Sequence, residues 1–328
     1  MENKLGKLMD LVRRLPEACL DDTIGYVEER LEEHAEEKPV PPCPHCKTEG
    51  VSKFGKIEGR QRYRCKNCHK TFGDTTNTIM SYSHCGEAAW KQVIRDTVEG
   101  VSLDTTADAL HVSHSTAFNM RHKILLALEM EESSQPTVLS GVCELDDTYV
   151  LENYKGNKLP EGFWREARLH GAVAQKRGVS NEYVCISTGV QRDGSAYAQS
   201  VTRSTPSKDD IVSVFEGHIE EESLILCDGA KSYNALGESS GCSVMNVDEE
   251  KKFAHVNTAN SFHSFIKDRY NQCRGVATKY LNRYNALFSG AFRNSKNLVD
   301  RIYNILCAND APRHHKVYDV KTLNLLDI

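Results

Sequence analysis

The side chains best equipped for chemistry in this chain are four cysteines, two aspartates and one short helical stripe. Cys43-Pro-His-Cys46 and Cys65-Lys-Asn-Cys68 form two C-x-x-C pairs with eighteen residues between them. Zinc prefers tetrahedral thiolate coordination, and this spacing suits two knuckles around one ion. Four thiolates leave no open position, so Cys43, Cys46, Cys65 and Cys68 are expected to hold one structural Zn2+; His45 and His69 are available but unnecessary. Further along, the run GVCELDDTYV alternates. Cys143 and Leu145 share one strand face, and Val142, Glu144 and Asp146 the other. A carboxylate at the end of an apolar strand is costly to bury unless it binds a cation. The run SLILCDGAKSY repeats the pattern and ends in Asp228-Gly229. Two such aspartates can hold Mg2+ or Mn2+ through oxygen. Two ions about 3.5–4 Å apart would serve phosphoryl transfer. One aspartate at a strand end is ordinarily a loop cap; a second in the same pattern shifts the balance toward the metal reading. The third element is HVNTANSFHSFIKDRYNQCRG, where Phe262, Phe265 and Ile266 give a buried side and Asn260, Ser264 and Lys267 fall on one helical face.

The elements upstream are a basic segment around the cysteines and a set of short helices. Around the cysteines sit Lys47, Lys53, Lys56, Arg60, Arg62, Arg64, Lys66 and Lys70 against only Glu49 and Glu58, with Phe54, Tyr63 and Phe72 interleaved. Local positive charge with aromatics is the footprint of a phosphate-contacting module. Arg60, Arg62, Arg64 and Lys66 are the candidate contacts, and a merely solubilising surface is the alternative. Trp90, Val93, Ile94 and Val98 give an amphipathic helix ending at Gly100. Ala107 and Leu110 close a short helix, Val112 sits in the turn, and Ser113 is a good N-cap for the next. Ala117, Ile124 and Leu128 should face inward with Met120 near them, leaving Ser115, Thr116, Asn119 and Arg121 outward, able to reach base edges in a major groove. An ordinary helical hairpin has the same pattern.

Taken together, D-[DE]-T-Y from Asp146, D-G-x-x-x-Y from Asp228, and H-x-N-x-x-[ENH] from His255 followed, after six intervening residues, by Lys267, ahead of the pair Arg274-Gly275, carry a resemblance. Over about residues 40–295 the chain resembles prokaryotic insertion-sequence transposases with a zinc ribbon and an ISXO2-like domain. The resemblance implies an RNase H-like α/β catalytic domain, a mixed sheet flanked by helices. It also implies metal-dependent DNA cleavage and strand transfer. Asp146 and Asp228 would be metal ligands, Asn260 would stand where many relatives place glutamate, and Lys267 would contact a phosphate. A neutral amide ligates Mg2+ more weakly than a carboxylate and cannot act as a general base. Asp147 is a neighbour with a weaker claim to ligation. Tyr149, Tyr233, His255 and Asn257 belong to the motif without a derived role, though His255 could cap its helix. Lys279, Arg283 and Arg293 either extend a DNA-binding face or solvate a helix.

The fold class that follows is α+β and multidomain. Residues 1–40 form a helical segment with a strongly acidic second half, 41–74 a zinc ribbon, 84–130 a helix-turn-helix segment, 141–308 the catalytic domain and 309–328 a tail. Apart from motif-bearing runs, RLHGAVAQ, YVCISTGV and CSVMNV read as strands, residues 131–140 read as a polar connection, and Tyr154–Arg168 and Arg192–Asp210 have no assigned purpose. At 328 residues and 39% hydrophobic the chain can bury a sizeable core. Its net charge of -5 makes it acidic overall, so basicity is local. No apolar run reaches the ~18 residues a bilayer needs, and no signal peptide is read. Cys143, Cys185, Cys227 and Cys307 lie in apolar runs, which suggests free thiols in a reducing, cytoplasmic compartment. The expected partners are double-stranded DNA, as element ends and as target, and a second copy of the chain on DNA. A catalytically silent relative regulating transcription, supported only by Asn260, and an RNA-processing or repair nuclease on the same fold are the competing readings.

Overall fold

The computed structural model describes residues 40–57, 59–81, 83–156, 158–159, 161–166, 173–192, 194–229, 232–247, 253–292, 297–308 and 326. The expected helical segment 1–40 (Val40 apart), Arg293, and the tail 309–328 (Leu326 apart) lie outside the described residues. The chain divides into two compact units, one up to Asp74 and one from Thr75 onward.

The first unit is a three-stranded antiparallel sheet, with β1 Val51–Ile57, β2 Arg60–Cys65 and β3 Thr71–Gly73 in sequential order. Alternation along β2 decides its two faces. Tyr63 and Cys65 turn inward to join Cys43 and Phe72, while Arg60 and Arg64 are exposed. Tyr63 and Phe72 stack at 5.5 Å. An apolar core this small needs a staple from outside the hydrophobic effect.

The second unit begins with three helices, α1 Glu87–Glu99, α2 Leu103–Leu110 and α3 His114–Ser134. Gly100 ends α1 in the left-handed region, where a residue without a Cβ is favoured. Ser102 caps α2 and Ser113 caps α3, each through a side chain accepting a backbone N–H three residues on. His111, also left-handed, makes the turn between them. Trp90, Val93 and Ile94 of α1 and Ala117, Met120, Ile124 and Leu128 of α3 are buried as the spacing predicts. However, α3 runs to Ser134 rather than ending at 130, and Leu125, Leu126 and Ala127 are buried too. It is covered on more than one side, because helices from the end of the chain pack against it. The segment 84–130 therefore shares one core with the residues that follow.

Those residues build a mixed five-stranded sheet in the order β6-β5-β4-β7-β8, with β4 Val142–Leu151, β5 Tyr183–Gln191, β6 Ala196–Arg203, β7 Leu224–Cys227 and β8 Ser243–Asn246. β4, β5 and β6 pair antiparallel, and β4, β7 and β8 parallel. One face packs on α4 Lys208–Phe215 and α5 Asn234–Ser240 through Cys143, Leu145, Ile211, Phe215, Ile225, Cys227 and Leu236. The other receives α6 Asn257–Gln272, α7 Leu281–Ala291 and α8 Leu298–Cys307, together with α1 and α3. Gly189 of β5 permits the packing on the α4 side. A Cβ there would sit 2.5 Å from Leu139 and 2.8 Å from Leu145. Two elements fall in the stretch that carried no assignment. β6 is masked in sequence by small and polar residues (AYAQSVTR), whereas α4 announces itself with a capping box from Ser207 to Asp210. RLHGAVAQ is a correction: of its described residues, Val173, Ala174 and Gln175 lie in no strand, and Val173 is exposed. Among the described residues no helix is long and apolar enough to cross a membrane.

Candidate active site and candidate metal centre

β4 positions the first aspartate. Register pairs Val142, Cys143 and Glu144 with Leu224, Ile225 and Leu226 of β7, a constant offset of 82. The same offset, carried to the end of β7, sets Asp146 beside Asp228, which follows β7 directly. Neighbouring strands are about 4.8 Å apart, and strand parity gives both aspartates the face that α6 covers, since Cys143, Leu145, Ile225 and Cys227 all face the other way. Asp228 is exposed and Gly229 after it has a φ of 94°, a turn that favours glycine. Burial pushes the Asp146 carboxyl up to about 6, and the negative charges of Asp228 and Asp147 push the same way while Lys267 opposes them. Asp147 points to the opposite face. Its carboxylate accepts from Ser187 and from Tyr233, each at 2.7 Å, so it serves the sheet's other side.

α6 brings the remaining residues. Asn260 and Lys267 lie on its exposed side, seven residues apart, while Phe262, His263 and Ile266 face inward. What holds the start of α6 is a residue that sequence reasoning passed over. Glu144 is fully buried, and its Oε2 accepts the backbone N–H groups of Thr258 at 2.6 Å and Ala259 at 3.1 Å. Its Oε1 takes Arg192 Nε at 2.7 Å. A carboxylate at a helix N-terminus answers both the open N–H groups and the helix dipole. Arg192 also donates to the carbonyls of Phe253 and His255, so it fastens the chain that leads into α6. His255 Nδ1 accepts the Asn257 N–H at 3.4 Å, a weak cap beside that of Glu144. The signal was present: Glu144 shares the Asp146 face, and a buried carboxylate there has to be paired. His263 was also missed. Its Nε2 lies 2.7 Å from Thr188 Oγ1 and its Nδ1 3.7 Å from Asp146 Oδ2. Burial and the nearby Lys267 lower its pKa to about 4.

The donor set suits a hard divalent cation. Two carboxylates side by side repel each other, one of them half-withdrawn from water, and oxygen ligands of this kind favour Mg2+ or Mn2+. In the first unit, the ligand atoms of Cys43, Cys46, Cys65 and Cys68 all lie within 4.8 Å of one another. The Cys43–Cys68 and Cys46–Cys65 sulfurs are 3.6 and 3.5 Å apart. Sulfurs at about 2.3 Å from a tetrahedral zinc are about 3.8 Å apart, so these four could hold one ion. The Thr48 hydroxyl, 3.2 Å from Cys46 Sγ, lowers that thiol to about 5, toward the thiolate that metal binding needs.

The residues expected to touch DNA divide. In β2, Arg60, Arg64 and, just beyond it, Lys66 are exposed; Arg64 lies over the Phe54 ring, and half-buried Arg62 donates to Thr71. On α3, Ser115 and Asn119 are exposed and Thr116 is partly taken up with the Ser113 cap. Arg121 is a correction. It is 7% exposed and donates to the Val101 carbonyl at 2.7 Å, locking the turn after α1. Arg283 is a second correction: it is fully buried and pairs with Glu129 at 3.3 Å, so it belongs to neither a DNA face nor a solvated one.

Comparison with known proteins sets these residues in context. The chain is 26% identical over 254 residues to an uncharacterized protein in transposable element ISH50 of Halobacterium salinarum, covering 74% of this chain and 82% of that one. Among solved structures, a pre-cleavage Mos1 transpososome is similar at a TM-score of 0.26 and 11% identity, covering 63% of this chain and 74% of that one. A Mos1 paired-end complex with left transposon end reaches a TM-score of 0.27 at 13% identity, covering 70% and 80%. Likenesses this slight carry no weight by themselves. The family model of the ISXO2-like transposase domain, by contrast, matches residues 138–293. With Asp146, Asp228, Asn260 and Lys267 all inside that stretch, residues 138–293 belong to the ISXO2-like transposase domain family.

Proposed function

We propose that the protein is an active DNA transposase that binds the inverted-repeat ends of its own insertion sequence and performs metal-dependent cleavage and strand transfer. The observation that carries this reading is the placement of Asp146 on β4 and Asp228 directly after the paired strand β7, near enough for the charges of Asp228 and Lys267 to act on Asp146, with Asn260 and Lys267 on the exposed side of α6, whose start Glu144 holds. The mixed sheet flanked by helices supports an RNase H-like catalytic domain.

Divalent cations, two in this reading, would supply activation of the attacking oxygen and stabilisation of the leaving oxygen. The chain's own residues do the rest. Asp146 and Asp228 hold the cations by oxygen. Asn260 offers a neutral amide oxygen and no general base, so removal of the nucleophile's proton falls to the aspartates and solvent. Lys267 neutralises a phosphate near the scissile bond as a point charge. Water attacks a phosphodiester first, leaving a 5′-phosphate and a free 3′-hydroxyl; that hydroxyl then attacks a target phosphodiester, joining to its 5′-phosphate and releasing the target's 3′-hydroxyl.

Cys43, Cys46, Cys65 and Cys68 staple the small basic sheet around a structural zinc. Its exposed Arg60, Arg64 and Lys66 supply sequence-independent phosphate contacts, with Arg62 at the edge of the same face. α2, the His111 turn and α3 act as a helix-turn-helix, in which Ser115, Thr116 and Asn119 read the end sequence. Two ends require two active sites, so the working form is a dimer or higher on DNA, in the cytoplasm at the nucleoid. Asn260 alone favours the second reading, a silent relative that only binds DNA. A joining assay separates the readings. A pre-cut element end and a target plasmid are incubated with the protein and Mg2+ or Mn2+. Covalently joined product supports the transposase; end binding without joining supports the regulator; cleavage without joining supports a nuclease.

A further inference from the structure

We propose that His263 is a nitrogen ligand of the catalytic cation, binding through Nδ1 beside Asp146. The proposal rests on the reading of Asp146 and Asp228 as the metal-holding pair and adds a residue to it.

Hydrogen bonding fixes which nitrogen is free. Thr188 Oγ1 donates to the backbone carbonyl of Asp146 at 2.8 Å, and a carbonyl can only accept. That spends the single hydroxyl proton. The 2.7 Å contact between the same oxygen and His263 Nε2 then has to run the other way, with Nε2–H donating. A neutral ring with its proton on Nε2 carries a lone pair on Nδ1. That lone pair faces Asp146 Oδ2 at 3.7 Å, too far for a hydrogen bond. The other oxygen, Oδ1, is already taken by the Asp147 N–H at 2.8 Å. Two electron-pair donors thus confront each other in a site where the His263 side chain is only 9% exposed and that of Asp146 19%.

A cation resolves the confrontation. Two donors about 2.1 Å from one ion lie about 3.0 Å apart when adjacent and about 4.2 Å apart when opposite; the observed 3.7 Å falls between. Metal-bound histidines characteristically donate their second ring N–H to a neighbouring acceptor, which fixes the tautomer and ring orientation. Here Thr188 performs that task, and it ties the ring to the backbone of the other ligand. His263 lies three residues after Asn260 and four before Lys267, on the edge of the same helical stripe. It therefore offers the site a good neutral donor where Asn260 offers a poor one. A nitrogen ligand favours Mn2+ over Mg2+, because imidazole binds transition cations more readily than hard ones.

The test is pulsed electron paramagnetic resonance on the full-length protein loaded with Mn2+, zinc being silent. The wild type should show a coupling to a directly bound 14N nucleus, converted to a 15N coupling on histidine-specific 15N labelling. The coupling should disappear in His263→Gln and persist in His255→Gln, the control for the histidine next to Glu144. Mn2+ affinity should fall in His263→Gln by at least the ~10-fold that losing even an outer-shell partner costs. Mn2+ binding that depends on Asp146 but shows no nitrogen coupling, or a coupling that survives His263→Gln, overturns the assignment and leaves the transposase reading standing. Absence of Asp146-dependent Mn2+ binding overturns both. Should His263→Gln fail to fold, the isotope-labelled wild type and His255→Gln still carry the test.

Discussion

Replacing Asp146 with Asn should stabilise the metal-free protein while destroying its activity. The Asp146 carboxyl titrates near 3.8 when unperturbed and is held at about 6 in the fold, first by burial and then by the neighbouring Asp228 and Asp147 charges. The folded protein therefore holds this proton more tightly than the unfolded chain. Stability from this group is full below about pH 4 and is lost as pH rises toward and past 6. The interval corresponds to roughly 3 kcal/mol at pH 7.5 and roughly 1.5 kcal/mol at pH 5. Asn is close in shape, keeps an oxygen for the Asp147 N–H, and carries no charge to desolvate. Asp146→Asn should accordingly exceed the wild type in stability by up to those amounts, with the gap closing as pH falls. At roughly 2–4 °C per kcal/mol for a unit of this size, the unfolding midpoint should rise by up to roughly 6–12 °C at pH 7.5. Added Mg2+ or Mn2+ should then raise the wild-type midpoint and leave that of the variant unchanged, since only a protein that binds the ion gains by mass action. The assay is thermal unfolding at several pH values without added divalent ion, avoiding chelators that would strip zinc. A variant no more stable than wild type at pH 7.5, or a gap that does not change with pH, would refute the electrostatic account of this site.

Four further outcomes follow from other parts of the structure. The purified protein should carry about one zinc per chain, and Cys65→Ser should lose it together with the hydrogen-exchange protection of β1–β3, read by metal analysis and mass spectrometry. Glu144→Ala should destabilise the second unit by about 3–5 kcal/mol, because it strands the Arg192 charge and uncaps α6; a denaturant midpoint measures this, and a loss under 1 kcal/mol contradicts the anchoring role. Arg121→Ala should lower stability without a selective loss of sequence recognition. Asn119→Ala should leave stability within about 0.5 kcal/mol and weaken specific end binding by about 1–3 kcal/mol, measured at fixed salt.

The grouping of the four cysteines, the shared strand face of Glu144 and Asp146 and the exposed stripe of α6 were legible because each rests on a local rule. Knuckle spacing, strand parity and helical period need no knowledge of the rest of the chain. Parity even placed Glu144 on the Asp146 face. It could not say that the partner of Glu144 would be a helix start more than a hundred residues on, joined by Arg192 from the turn after β5. Arg121 failed for a related reason. A helical wheel assumes one buried side, and α3 is covered by α1 and α2 on one side and by α7 and α8 on another. His263 sat unremarked among the apolar residues of α6, since nothing in the spacing distinguishes a core histidine from one aimed at a carboxylate. β6 escaped because alanine, serine and glutamine carry little alternation, although the sheet buries half of its residues.

The central claim is that Asp146 and Asp228 form the metal site of a DNA-cutting enzyme. Its most direct test is nicking of a labelled duplex that carries the inverted repeats flanking the coding sequence, with and without Mg2+ or Mn2+, for wild type and Asp228→Ala. A cut at the element end should require the divalent ion and disappear in Asp228→Ala. Cleavage that persists in Asp228→Ala, or that needs no divalent ion, would contradict the claim.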